Sequence, residues 1–174
     1  MKRRGFTIVE LIITITIMGI LLTLAVVNVS STQVKARDDE RKSDIESIAS
    51  NLESFYISGR DDSTNFARYP SIGVVGNQTT ITNSLRDADI KSFLSPGTTD
   101  PTQTFIASTN TGSAPSIQTT AGVLPQPTIN QYVYQPIKSD GSICIVGDID
   151  CRKFNLFYRL ESDNTVYRLT SKNQ

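Results

Sequence analysis

The chain has 174 residues, balanced at 17 basic and 17 acidic, with two cysteines and no histidine. That length holds one domain and a membrane helix rather than two sizeable domains. Zero formal charge gives no reason for direct nucleic-acid binding, and the lack of histidine excludes Ser-His-Asp and Cys-His hydrolases and His-ligated metal sites.

The first element is the stretch from Gly5 to Val29, GFTIVELIITITIMGILLTLAVVNV, preceded by Lys2, Arg3 and Arg4. From Leu11 to Val29 it carries no charge; Thr14, Thr16, Thr23 and Asn28 are its polar breaks. As a helix it is about long enough to cross the roughly 30 Å hydrocarbon core of a bilayer. The basic cluster keeps the start of the chain cytoplasmic and sends the residues after Val29 outside. The competing reading is a secretory signal peptide, whose apolar region is roughly 7–15 residues and ends at a small-residue cleavage site. This run is longer, and AVVNVSS after it is a poor match to such a site. Glu10 also argues against a signal peptide, because a carboxylate in an apolar segment is costly and usually functional.

Lys-Arg-Arg-Gly, then Phe-Thr-Ile-Val-Glu-Leu, then an apolar run holding Gly19, resembles the amino-terminal segment of type IV prepilins and pseudopilins. The resemblance implies that a membrane-embedded prepilin peptidase cuts after Gly5 and that the new terminal residue, Phe6, is N-methylated. It also implies that Glu10 meets the Phe6 amine of a neighbouring subunit during assembly. The physics agrees, since the acid lies one turn into the helix, near the positive end of its dipole. In an isolated subunit its charge is expected to be poorly compensated, which favours association; the competing reading is a side chain that snorkels to the membrane edge.

Residues 30–58 are expected to continue the helix. KARDDERKSD, from Lys35 to Asp44, reads as a solvated face of mixed charge with i,i+4 pairs. Ile45, Ile48, Ala49, Leu52, Phe55 and Tyr56 then form an apolar stripe that needs a partner surface, and Gly59 is a helix stop. A helix from Phe6 to Ile57 would be about 75–80 Å long. Many pilins carry a Pro that loosens this helix; Val27 stands at the matching place, although Asn28, Ser30 and Ser31 are weak helix formers.

Residues 59–72 read as a turn-rich connection ending in Tyr69-Pro70. An aromatic followed by Pro at this place is similar to the major pseudopilins of type II secretion, and it is equally an ordinary X-Pro loop. Residues 81–94 are expected to form a short helix burying parts of Leu85, Ile90, Phe93 and Leu94. Residues 95–130, rich in Ser, Thr and Pro, read as an exposed, mobile or glycosylated face with a short strand near Thr104–Ala107.

Strands are expected at 131–137, at Ser142–Val146 as the second arm of a hairpin, at Phe154–Glu161 and at Thr165–Thr170. Phe154, Leu156, Tyr158 and Leu160 share one face by period two and are expected to lie on the Ile45–Tyr56 stripe. Cys144 and Cys151 fall in the outward-facing part, where oxidation is favoured, and six intervening residues suit one disulfide. Asp140, Asp148 and Asp150 invite a calcium reading, but their spacing matches no defined loop and Asp is common in turns. No metal and no cofactor is assigned.

The expected fold is α+β: one long N-terminal helix packed against a small antiparallel sheet. The expected organisation is a leader at 1–5, a transmembrane assembly helix at 6–29, its amphipathic continuation at 30–58 and a globular domain at 59–174. The function implied is a structural subunit of a type IV pilus-like homo-oligomeric filament, not an enzyme. The resemblance implies a prepilin peptidase, an assembly ATPase and a platform membrane protein as partners. The alternatives are a pseudopilin of type II secretion or DNA uptake, and a membrane-tethered minor subunit that binds a ligand or surface through residues 95–130.

Overall fold

A computed structural model of the chain describes residues 5–59, 66–75, 78–86 and 88–173. Lys2, Arg3, Arg4 and most of the leader therefore lie outside the described residues, as does the 60–65 part of the turn-rich connection. Helix α1 covers Ile8–Ser58. It is shared between two compact units, one ending at Ala36 and the other spanning Arg37–Gln174.

In the first unit the apolar side chains of α1 described between Ile8 and Leu24 are exposed. Leu11, Ile15, Met18, Leu21 and Leu22 are all more than half exposed. A helix this apolar and this bare does not persist alone in water; it needs lipid or other helices.

In the second unit the amphipathic stripe is buried as its spacing predicts. Ile45, Ile48 and Leu52 are fully covered, and Tyr56 packs at the margin of the same core. The helix ends where Gly59 takes φ +58°, a conformation natural to glycine, and a Cβ there would meet the Phe66 backbone at 2.9 Å.

The partner of the stripe is a four-stranded sheet in the order β1-β2-β3-β4. The strands are β1 Phe105–Ala107, β2 Tyr132–Lys138, β3 Cys151–Arg159 and β4 Val166–Thr170. β2, β3 and β4 are antiparallel, as expected, but β1 joins β2 in parallel, so the sheet is mixed. Alternation places Phe105, Tyr132, Tyr134, Phe154 and Leu156 in one core with the α1 stripe. Tyr158 packs against it from partial burial, and Leu160 is buried.

Three expectations are corrected. Ser142–Val146 is not a strand. It makes a single bridge, Ile143 to Ile137, with Lys138 N–H donating to Ser142 O and Cys144 N–H to Pro136 O. Pro136 has no N–H to return the second bond to Cys144, whose carbonyl accepts from Ile72 instead, so the ladder stops there.

The helix expected at 81–94 is divided. Helix α2 covers Gln78–Ser84, and a separate 3-10 turn covers Ile90–Phe93 with Asp89 as its cap, accepting from Lys91 N–H. Leu85 and Phe93 are buried from these two pieces, while Ile90 and Leu94 are half-buried.

The stretch 95–130 is not simply an exposed face. Val123 packs with Val133 and Phe157 on the far side of the sheet from α1, with Ile106 and Val166 at its edge. Asn110 Oδ1 accepts from Gln135 Nε2 at 3.1 Å, and Asn155 Nδ2 donates to Gln135 Oε1 at 2.9 Å. A polar network with a small apolar plug therefore seats this cover. Residues 111–116 remain exposed.

Candidate functional site

The first candidate is the start of α1. Helical hydrogen bonding begins at Ile8, so Thr7 is the residue that caps it. Thr7 N–H and Thr7 Oγ1 both donate to Glu10 Oε2, at 2.9 and 2.8 Å, and Glu10 N–H donates back to Thr7 Oγ1 at 3.3 Å. This is the reciprocal arrangement of a capping box, in which a Thr and a Glu three residues on satisfy each other's orphan groups. The single chain therefore gives the Glu10 carboxylate two neutral donors from Thr7, which are hydrogen bonds and not a counter-charge. Gly5 and Phe6 lie before the helix, and Phe6 is exposed.

After Glu10 the helix contains an 18-residue window that is apolar enough to cross a membrane, none of it buried in the protein. The three threonines within it solve their polarity locally. Thr14, Thr16 and Thr23 donate their hydroxyls to Leu11 O, Ile12 O and Ile20 O at 2.7–2.8 Å.

The second candidate is the charged run. It is not simply a solvated face, because Asp38 and Arg41 are among the most buried side chains, 2% and 1% exposed. Arg41 pairs with Asp38 at 2.8 Å and donates from Nε to Ile129 O at 2.8 Å. Asp38 accepts the N–H groups of Glu161 and Ser162 at 2.8 and 2.9 Å. Arg37 forms a two-pronged pair with Glu161, at 2.9 and 2.7 Å. Burial pushes the Asp38 carboxyl up, but its hydrogen bonds from Ser162 and Glu161, with Arg41 beside it, hold it below the usual range. Glu161 is likewise lowered, first by Arg37.

Lys35, Asp39, Glu40, Lys42 and Ser43 are exposed, with Lys42 and Asp39 in a loose pair at 3.5 Å. A signal for the buried pair was present in the spacing. Asp38 and Arg41 continue the Ile45, Ile48, Leu52 stripe at intervals of three and four, so the helix must carry them inward.

Further along α1, Asp44 accepts from Tyr132 Oη at 2.8 Å. Its carboxyl is raised to about 6, chiefly by burial, with the neighbouring Glu40 adding to it. Glu53 accepts from Tyr69 Oη, Lys172 N–H and Asn173 Nδ2, all at 2.8–2.9 Å, and so ties the carboxy-terminal strap to the helix. Tyr69-Pro70 thus sits in the core. Tyr69 lies between Tyr56 and Phe154, and Pro70 O accepts from Tyr134 Oη at 2.6 Å.

Cys144 and Cys151 are joined in a disulfide, their Cα atoms 5.7 Å apart. The three nearby aspartates serve local turns. Asp140 accepts from Ser142, Asp148 accepts from Ile145 N–H and pairs with Lys138, and Asp150 binds Ser139 and Arg152. No group of three His, Cys, Asp or Glu placed to hold a metal occurs among the described residues.

A long N-terminal helix, apolar in its first part and joined in its second to a small mixed sheet, defines an α+β protein of the kind anchored by its own start. The prokaryotic N-terminal methylation motif matches residues 1–26, and with it the chain carries the signature of type IV pilin and pseudopilin precursors. No curated protein and no solved structure matches the chain.

Proposed function

We propose that this chain is a structural subunit of a type IV pilus-like filament. Prepilin peptidase cuts between Gly5 and Phe6, Phe6 is N-methylated, and the subunit waits in the membrane with its amino terminus on the cytoplasmic face. An assembly ATPase and a platform protein then draw it into an extracytoplasmic homopolymer. The observation that supports this most is the methylation motif at residues 1–26 set on a helix whose apolar surface its own fold leaves bare.

Polymerisation through α1 would bury that surface and bring the Phe6 amine of one subunit to Glu10 of another. A buried ion pair is a poor source of net stability but a strong penalty on wrong registers, since orphaning one partner costs about 3–5 kcal/mol. The remaining domain would serve as the filament's outer surface and carry out no catalysis.

A second reading is a pseudopilin of type II secretion or DNA uptake, favoured by Tyr69-Pro70 soon after the helix. It shares the processing steps and differs in the machinery that the filament serves.

The test is mass spectrometry of the mature amino terminus from membranes and from sheared surface material. The reading requires a chain that begins at Phe6 and carries one added methyl. A chain that still begins at Met1, or is cut beyond Ser30, would sink it. Glu10→Ala should then abolish filaments while the globular domain still folds.

A further inference from the structure

The sheet ends at β4, and among the described residues no strand pairs with its outer edge. Leu160 N–H donates to Thr165 O and Ser171 N–H to Phe154 O, which fixes the phase of the β3–β4 ladder. Bonded pairs alternate along an antiparallel ladder. Tyr167 and Leu169 therefore bond to β3, and the N–H and C=O groups of Val166, Arg168 and Thr170 point to the open edge. The long side chains of the strand are held away from it. Tyr167 stacks on Tyr158, and Arg168 donates to Gln118 O. An edge left in this state is a template for another strand.

Beside that edge runs a groove. Glu46, Ala49 and Glu53, at helical spacing on α1, form one wall, and Leu169, Thr170 and Lys172 form the other. It holds about 330 Å³, the lower end of the range for ligand clefts. Its apolar floor is small, made by Ala49 and the half-buried Leu169. Its two acids differ. Glu53 already accepts from Tyr69 Oη, Lys172 N–H and Asn173 Nδ2. Glu46 is exposed and takes part in none of the ion pairs among the described residues.

From this juxtaposition we infer that the β4 edge and the groove together dock one extended peptide segment, added antiparallel to β4 as a fifth strand. The chemistry of the occupant follows from the two surfaces. Its residues opposite Val166, Arg168 and Thr170 exchange backbone bonds with them. The residues between turn their side chains into the groove by period two. One of these is small and apolar, over Ala49 and Leu169, and the next is Lys or Arg, directed at Glu46. Lys172 stands at the Glu53 end and disfavours a second cation there. The surface lies wholly in the second unit, so the inference does not rest on the filament reading.

The experiment uses the full chain in detergent micelles and synthetic heptapeptides, capped at both ends, with Thr at the odd positions and varied residues at the even ones. Binding should favour Lys or Arg at one even position and Ala or Val at a neighbouring even position. The best peptide should slow amide exchange at Val166, Arg168 and Thr170. N-methylation at the odd residues, whose N–H groups face β4, should weaken binding about tenfold, the scale of a lost hydrogen bond. N-methylation at the even residues should weaken it far less. Glu46→Gln should weaken the cationic peptide by up to about fivefold, as for an exposed ion pair, and leave its uncharged form unaffected.

No binding at millimolar peptide overturns the site. Equal losses from N-methylation at odd and even residues also overturn it, because the peptide is then held by charge and not as a strand. A basic preference that survives Glu46→Gln overturns the assignment of the occupant.

Discussion

Asp38 Oδ1 accepts the backbone N–H of Glu161 at 2.8 Å, a bond between positions 123 apart in the chain. With Ser162 N–H on Oδ2 and Arg41 on Oδ1, one carboxylate ties α1 to the turn between β3 and β4. The two N–H groups of the turn find their acceptors on the helix. Asp38→Ala would strand both N–H groups and leave the Arg41 guanidinium, 1% exposed, to Ile129 O and to its longer contacts with Glu161 at 3.4–3.5 Å. A loss of about 3–5 kcal/mol is expected. Asp38→Asn keeps one acceptor and should cost less. Urea unfolding of the full chain in detergent, followed by the tyrosine signal of the globular unit, measures both.

The pH response of this region has two opposing parts. Asp38 and Glu161 have folded-state pKa values below their unfolded ones, so their contribution is present above about pH 4 and is lost as pH falls through the folded values. Asp44 goes the other way, because its carboxyl titrates at about 6 when folded. Its contribution is present below the unfolded value and is lost as pH rises toward 6. Asp44→Asn retains an acceptor for Tyr132 Oη and removes the ionisation. It should therefore flatten the stability profile between pH 4 and 6. At neutral pH it should stabilise by about 1 kcal/mol, the full shift being discounted because the group is only partly buried. A profile between pH 4 and 6 that is unchanged by Asp44→Asn would show that the carboxyl is not raised.

Gln135 gives a third prediction, on the other side of the sheet. It is fully buried, and its amide joins Asn155 on β3 to Asn110 and to Ile117 O in the cover. Gln135→Ala would leave several buried polar groups unsatisfied at once. Each such group costs about 1–3 kcal/mol, although relaxation of the cover will recover part of it. The expected signature is local: faster amide exchange at Ser108 and Leu124, with the α1 stripe still protected. Uniform loss of protection would mean that the cover and the main core unfold as one.

The features legible in the sequence are those set by period and by local chemistry. The Ile45–Leu52 stripe, the Gly59 stop and the alternation in β2 and β3 are patterns of one chain segment with itself, so spacing alone reveals them. The methylation motif is likewise contiguous. The cover on the second sheet face was not legible, because its grip comes from Asn110, Gln135 and Asn155, polar residues that look like surface until brought together. Asp38 and Arg41 were hidden for a related reason. Their charge argued for solvent, and only their phase with the apolar stripe argued against it. The parallel placement of β1 depends on a connection of 24 residues, Ser108 to Gln131, whose path no local signal sets. At Thr7 the capping pattern is present in the letters, a Thr followed three residues later by Glu before an apolar run.

The disulfide offers the last prediction. Cys144 O accepts from Ile72 N–H, and Cys151 O accepts from Tyr69 N–H, so the two cysteines hold the connection after α1 as well as each other. Between them lie Ile145, Val146 and Ile149, each at least half exposed. The closed loop is short, so the entropic stabilisation is modest, about 2 kcal/mol by the chain-closure relation. Replacing both cysteines by serine should lower the unfolding free energy by about that amount. It should not unfold the domain, because the α1 stripe, the Asp38 contacts and the β2–β3 ladder do not depend on the bridge. Amide exchange should rise at Ile72 and Ile145 and remain slow at Ile48 and Leu156. The apolar side chains of the released loop should also make the reduced protein more prone to self-association, which light scattering with and without reductant would detect. An oxidised and a reduced chain with the same unfolding midpoint would mean that hydrogen bonding to residues 69–72 already fixes this loop and that the bridge adds little to it.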